Sequence, residues 1–184
     1  SHKSVQLQTV EKLRKAIIEG LFKPGERLVE ARLCKLFGVS RPLLREALRS
    51  IEAEKLVTII PNSGPIVSVL TWDDALEIYC VRSLLEGEAA GLCARRASAA
   101  GIRTMKNAVV AFEKAVRRGA PSGELSATEM FYGAVLAECG NKLIREVLLG
   151  LLARVNILRV RSMSLPHRSK SSAQELRAIL EAIE

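Results

Sequence analysis

The stretch Gly38-Val39-Ser40-Arg41-Pro42-Leu43-Leu44-Arg45-Glu46-Ala47-Leu48-Arg49-Ser50-Ile51 decides the fold. Leu44, Leu48 and Ile51 recur at three- and four-residue spacing, which puts them on one face of a helix. Arg41, Arg45 and Arg49 recur every four residues and form a guanidinium stripe on the opposite face. Gly38 ends the preceding segment, and Ser40 stands where a helix N-cap is expected. The pattern predicts two helices joined by a tight turn, the second over about residues 41–54.

Outward from this stretch the same logic continues. Residues 5–19 read as a helix with Val10, Leu13, Ile17 and Leu21 apolar, followed by a Pro24-Gly25 turn. Glu30 to Phe37 reads as a short helix with Leu33 and Leu36 facing inward. On the other side, β-branched runs at 57–60 and 66–69 flank Pro61-Asn62-Ser63-Gly64, the pattern of a β-hairpin. Three helices followed by a hairpin is the order of a winged helix-turn-helix, here over residues 5–69. In that arrangement the second helix of the pair lies in the DNA major groove. Arginine matches guanine edges and phosphates bidentately, and a helix N-terminus offers amide donors to a phosphate. Spacing alone leaves a second reading open, a solvated face paired with Glu46, Glu52 and Glu54.

From Thr71 onward the pattern is helical throughout. Thr71 reads as an N-cap, with Asp73 and Asp74 in the first turn to suit the helix dipole. Helices are expected at about 72–97, 99–118, 125–139, 142–162 and 172–184, with breaks at Gly119, Pro121-Ser122-Gly123, Gly140 and residues 164–171. Leu176, Ile179, Leu180 and Ile183 give the last helix an apolar face with no cap after it, so it is expected to be incomplete at residue 184. The fold class is mainly α: the winged domain, then an all-α antiparallel helical bundle over 72–184.

Composition agrees. Hydrophobic residues make up 48% of the 184 and aromatics only 4%, so the core is aliphatic. The net charge is +8. Residues 1–70 hold 12 Lys and Arg against 7 Asp and Glu, and the longer remainder holds 16 against 13. The smaller part is thus more basic per residue, which points to a polyanionic partner. Cys34, Cys80, Cys93 and Cys139 form no C-x-x-C pair and are expected to pack as small hydrophobes in a reducing, cytoplasmic compartment. No apolar stretch is long enough to span a membrane, and Ser1 and His2 are given no function. Neither a phosphate loop nor a Ser-His-Asp or Cys-His arrangement is present to support an enzyme.

Several stretches resemble the DNA-binding signature of the GntR family. They are Leu21-Phe22-Lys23-Pro24-Gly25-Glu26-Arg27-Leu28, Leu33, Phe37-Gly38-Val39-Ser40-Arg41, Leu44-Arg45-Glu46-Ala47-Leu48, Leu56-Val57 and the wing turn. The usual Thr-Pro after the Ser-Arg pair is here Pro42-Leu43, and Ser63 stands where an Arg often precedes the wing glycine. The resemblance implies DNA contacts from Arg32, Ser40, Arg41, Arg45, Arg49, Asn62, Ser63 and Gly64. The helical remainder resembles the FCD domain of the FadR subfamily, in its shorter, six-helix VanR-like branch. Val81-Arg82 with Leu85-Glu86, Phe131, Cys139-Gly140-Asn141 and Leu143 carry that resemblance.

FCD domains enclose a pocket, and many hold a divalent metal there through an Asp and three His. Counted from Phe131, the Asp and first His positions are Thr128 and Tyr132, and another His position is Leu176. The chain has two histidines, His2 and His167. Thr, Tyr and Leu do not replace carboxylate and imidazole, so no metal and no other cofactor is expected. Arg82 is either paired with Glu86 or Glu88 or an anchor for an acidic ligand. Thr128, Tyr132, Asn156 and Arg159, with Arg154 behind them, are the remaining effector candidates. The resemblance therefore implies a homodimeric transcriptional repressor on a DNA operator, controlled by a small carboxylate-type metabolite. The alternative is a constitutive DNA-binding dimer whose bundle binds neither metal nor effector.

Overall fold

In the computed structural model the described residues are 2–163, 165 and 167–184. Ser1, and Ser164 and Pro166 of the expected 164–171 break, lie outside them. The chain divides into two compact units: residues up to Ala75 together with Leu151–Ile157, and Leu76–Gly150 together with Leu158–Glu184.

The first unit contains α1 (His2–Ile18), α2 (Glu30–Phe37), α3 (Arg41–Ala53), β1 (Val57–Ile60) and β2 (Gly64–Val67). Leu13, Ile17, Leu33, Leu44, Leu48, Ile51, Leu56 and Val57 are buried together with Phe22 and Leu28. Gly38 closes α2 in the left-handed conformation, at φ 67°, which costs glycine little and a Cβ-bearing residue more. Across the core, Arg14 of α1 reaches the end of α3: its Nε and Nη2 donate to the Glu54 carboxylate at 2.7 and 2.5 Å.

Two inward assignments fail. Leu21 and Leu36 are both more than half exposed. Phe22, one residue on, fills the place expected of Leu21, because α1 ends at Ile18 and the turn that follows rotates the chain. The helix α2 is too short to wrap a second apolar column. The wing also shifts. Ile60 pairs with Gly64, so β2 starts two residues earlier than the β-branched run. Ser63 N–H donates to the Ile60 carbonyl and Asn62 sits at φ 62°. Pro61 then Asn62 is the pairing that a type II turn requires. A third extended segment was not foreseen. Gly25 N–H donates to Val67 O, Val67 N–H to Glu26 O, and Leu28 N–H to Pro65 O, so residues 25–28 lie along the free edge of β2.

The second unit holds most of α4 (Trp72–Ala94), with α5 (Ala99–Arg118), α6 (Pro121–Glu138), parts of α7 (Lys142–Met163), and α8 (Arg168–Ile183). Phe112 and Phe131 sit at its centre with Ala89, Met105, Ala108, Leu176 and Leu180. Cys93 and Cys139 belong to this core, whereas Cys80 is exposed; the apolar run around Cys80 turns that position outward. Two starts differ from expectation. The helix α6 begins at Pro121, because proline at a first helical position starts a helix rather than breaking one. The helix α8 begins at Arg168, and Ser169, read as loop, donates its hydroxyl to the Glu124 carboxylate at 2.7 Å.

The start of α4 is a reciprocal cap. Asp74 N–H donates to Thr71 Oγ1 at 3.1 Å, and Thr71 N–H donates to Asp74 Oδ2 at 2.8 Å. Hydrogen bonds from Thr71 hold the Asp74 carboxyl below its ordinary value. A depressed carboxylate contributes stability above its unfolded pKa and loses it as the pH falls. In urea titrations, the stability difference between the native chain and Asp74→Asn should be complete at neutral pH and fade below the ordinary aspartate range; Thr71→Ala should cost about 1 kcal/mol at pH 7.

Candidate nucleic-acid interface and bundle cavity

In the first unit, α3 starts from Ser40, extended at φ −73° and ψ 157°. Ser40 holds the N-cap position, but its hydroxyl makes no cap bond. Pro42 in the first turn has no N–H, which removes one amide that an N-cap oxygen normally accepts from. Arg41, Arg45 and Arg49 are all exposed, while Leu44, Leu48 and Ile51 face the core. Arg45 Nε donates to Glu30 Oε1 and Oε2 at 3.0 and 3.2 Å, and this pairing raises the guanidinium pKa. An exposed pair of this kind contributes little stability and yields readily to another anion. Of the acids that might have neutralised the stripe, Glu54 is paired with Arg14, and Glu52 accepts the Ile59 N–H. Arg32 donates to Glu26 at 3.3 Å, and its Cζ lies 5.8 Å from the Phe22 ring centre.

At the wing tip Asn62 is exposed, and Ser63 and Gly64 are half-buried. Gly64 has φ 81°, and a Cβ added there would meet nothing within 4 Å. Its requirement for glycine is therefore conformational, not steric.

The second unit contains a cavity of about 240 Å³. Tyr79, Arg82, Ser83 and Glu86 of α4 line it, with Thr128 and Tyr132 of α6, Arg159 and Ser162 of α7, and Arg168, Ser172, Glu175, Leu176 and Ile179 of α8. Arg82 donates to Glu86 through Nε at 2.9 Å and Nη2 at 3.0 Å. Arg168 grips Glu175 in the same bidentate way, at 2.7 and 2.9 Å. Arg159 Nη2 is 4.0 Å from Glu86 Oε1, and its Cζ lies 4.8 Å from the Tyr132 ring centre. Burial raises the Tyr132 pKa, so the phenol stays protonated. Thr128 Oγ1 is occupied, donating to the Glu124 carbonyl at 2.8 Å.

Residues 5–67 match the gntR family of bacterial regulatory proteins, and residues 77–184 match the FCD domain. The chain belongs to the GntR family. It is a transcriptional regulator with an FCD domain, not an enzyme. The uncharacterized HTH-type transcriptional regulator YdhC of Bacillus subtilis (strain 168) is 30% identical over 178 residues, covering 96% of this chain and 80% of YdhC. The gluconate operon transcriptional repressor of the same strain is 37% identical over 86 residues, 47% of this chain and 35% of that repressor. Among solved structures, Escherichia coli McbR/YncC superposes with a TM-score of 0.78 at 19% identity over 97% of this chain and 89% of that one. A GntR regulator from Rhodococcus sp. RHA1 gives 0.74 at 23% identity over 97% and 94%. No helix among the described residues is long and apolar enough to cross a membrane.

The positions that the FCD resemblance assigns to metal ligands, Thr128, Tyr132 and Leu176, all line this one cavity. A divalent ion does not fit them. One hydroxyl is engaged by a backbone carbonyl, the phenol is held neutral by burial, and the third side chain is apolar. Among the described residues, no group of three or more His, Cys, Asp or Glu is placed to hold a metal.

Of the effector candidates, the cavity brings together Arg82, Thr128, Tyr132 and Arg159. Asn156 is buried but is not on the cavity wall, and neither is Arg154. Asn156 and Arg159 are three positions apart, near enough to one helical turn to blur in sequence. Arg168 is missed as a lining group because 164–171 reads as a break; Ser172 and Glu175 fall in an expected helix but carry no motif that marks them as cavity residues. The seven-residue spacing of Arg168 and Glu175, two helical turns, was the available signal.

Gly64→Ala should destabilise the protein by about 1–2 kcal/mol through left-handed strain alone. Urea unfolding measures this, and Gly119→Ala, at φ 59° with open space around it, is the matched control.

Proposed function

We propose that this GntR-family chain is a ligand-responsive repressor that binds a short pseudo-palindromic operator as a homodimer. Residues 5–69 serve as the DNA-binding domain and 72–184 as the effector-binding and dimerisation domain. The observation that carries the DNA-binding part is the exposed stripe of Arg41, Arg45 and Arg49 on α3, on a different face from the buried Leu44, Leu48 and Ile51. Arg41 and Arg45 are the leading candidates for base edges, with Arg49 further along the same face. Ser40, with its hydroxyl outside any cap bond, and Arg32 are suited to phosphate oxygens. Asn62, Ser63 and Gly64 form the wing tip that approaches the neighbouring groove.

The dimer reading is supported by uncovered apolar side chains on the second unit's part of α4. Leu76 and Leu84, eight residues apart, are 52% and 69% exposed. A second copy of the chain, related by a two-fold axis, is the occupant we assign to them. The effector reading is supported by the polar cavity, whose guanidinium groups suit a small carboxylate. Acting on operator DNA, the protein would work in the cytoplasm.

A second reading has its own observation. Arg82 with Glu86 and Arg168 with Glu175 are already bidentate pairs, as they would be in a bundle that binds nothing and only dimerises.

Selection of genomic fragments by the purified chain should yield a two-fold symmetric site. By fluorescence anisotropy, Arg45→Ala should weaken binding to that site by about 1–3 kcal/mol and relax preference at one position per half-site. Arg32→Ala should weaken all sequences alike and flatten the salt dependence. Equal affinity of Arg45→Ala and the native chain for the selected site would sink the assignment of α3. Operator affinity unchanged by every ligand that binds the bundle would favour the constitutive reading.

A further inference from the structure

The wing carries exposed apolar side chains that neither the core nor the arginine stripe accounts for. Ile59 and Ile60 are 40% and 41% exposed, and Pro61 beyond them is exposed as well. Consecutive strand residues point to opposite faces of a sheet. Thr58, Ile59 and Ile60 are all exposed and only Val57 of β1 is buried, so the end of the hairpin stands clear on both faces. Its composition is also out of line with the rest of the chain. Charged residues make up 26% of the sequence, yet none occurs from Leu56 to Trp72. A stretch without a cation releases no counterions from DNA and forms no ion pair with a phosphate. Nor is an added strand a fitting occupant. The Ile59 N–H already donates to Glu52 Oε1 at 3.0 Å, so that edge of β1 is engaged. The same carboxylate repels a phosphate from this side.

We propose that the wing is a charge-free reader of the DNA minor groove: Ile60 and Pro61 press on the sugar walls and Asn62 reaches the base edges, so that A·T is told from G·C without a phosphate contact. The inference rests on the DNA-binding reading above and specifies what the wing adds to it. The minor groove is the occupant because the wing follows directly on α3, the helix that carries the arginine stripe. That groove, about 6 Å wide, admits side chains at a turn and takes apolar residues and Asn. On its floor A·T pairs show only acceptors, whereas G·C adds the guanine 2-amino group. That amino group stands where a bulky side chain would sit, so Ile60 favours A·T. The Asn62 amide supplies donors for the A·T acceptors. The turn presents it: Asn62 has φ 62°, and the Ser63 N–H is spent on the Ile60 carbonyl. Ser63, where an Arg often stands in the family, removes the cation and leaves the wing to read shape and hydrogen bonds.

The test is fluorescence anisotropy of the full chain on a duplex that it selects from a random-sequence pool, over a range of salt concentrations. In the pairs flanking each half-site, A·T is replaced by G·C or by inosine·cytosine. Inosine·cytosine keeps the major-groove face of G·C but lacks the guanine amino group, so it isolates the minor groove. Flanking G·C should weaken the native chain about tenfold, and inosine·cytosine should restore binding. Ile60→Ser should lose most of that discrimination with the salt slope unchanged, whereas Ser63→Arg should steepen the slope by about one unit. Thermal melts establish that each variant is folded. If Ile60→Ser does not fold, the inosine duplex on the native chain and Ser63→Arg still decide. A folded Ile60→Ser that keeps full discrimination overturns the proposal, and so does one with a shallower salt slope. If Ile60→Ser instead changes the sedimentation of the DNA-free protein and leaves discrimination intact, the patch belongs to a protein interface and the proposal falls. Tight native binding to the selected duplex with equal affinity for all flanks overturns this inference alone. Failure of the native chain to select any duplex overturns the DNA-binding reading and this inference with it.

Discussion

Burial of Leu44, Leu48 and Ile51 fixes the rotation of α3 about its own axis, and most of the first unit follows from it. A helix has one set of angular positions for each residue once a single face is committed to the core. With that face packed beside Leu13 and Ile17, the positions of Arg41, Arg45 and Arg49 leave no choice but solvent. The core and the candidate DNA surface are thus two readings of one periodicity. The bidentate grip of Arg14 on Glu54 adds a polar tether where α3 ends, and it also removes one acid from the neighbourhood of the stripe.

The bundle works differently. A few of its charged groups, Arg82, Glu124 and Arg159, are buried, where ion pairs in low dielectric are strong in Coulomb terms but costly to desolvate. The four helices that wall the cavity each bring a polar or charged side chain to it, and two of the guanidinium groups lean on aromatic rings. Such an arrangement holds cations in place without a metal. The positions that the FCD resemblance gives to metal ligands fall on the same wall, filled by Thr128, Tyr132 and Leu176.

Legibility in the sequence followed the length of the periodic signal. Long amphipathic runs such as those of α3 and α5 were readable, because many residues vote for one face. Single-residue assignments at their edges were not: Leu21 and Leu36 lie where a helix ends or is too short to commit a second column. The strand-like pairing of residues 25–28 was invisible because three backbone hydrogen bonds to β2 carry no side-chain pattern. The start of α8 was hidden because serines favour turns locally, and it took Glu124 from another helix to hold Ser169 in helical register. Cavity residues were legible where the family resemblance named a position, as at Thr128 and Tyr132. Elsewhere they were lost: Arg168 because its helical turn reads as a break, and Ser83, Ser162, Ser172 and Glu175 because nothing in a helical pattern says which polar residues face a cavity.

The edge pairing of residues 25–28 on β2 has a kinetic side. The bridge between Arg27 and Ile66 joins points about 40 residues apart, and both helices of the helix-turn-helix lie within that loop. Closing it costs chain entropy that the hairpin alone cannot recover, so the wing gains its third neighbour only after α2 and α3 have drawn the loop together. A nascent or truncated chain that stops short of Val67 would leave residues 25–28 without a sheet edge and Leu28 without its burial. The DNA-reading helix and the wing should therefore be acquired in one cooperative event, late in the emergence of this unit rather than piece by piece.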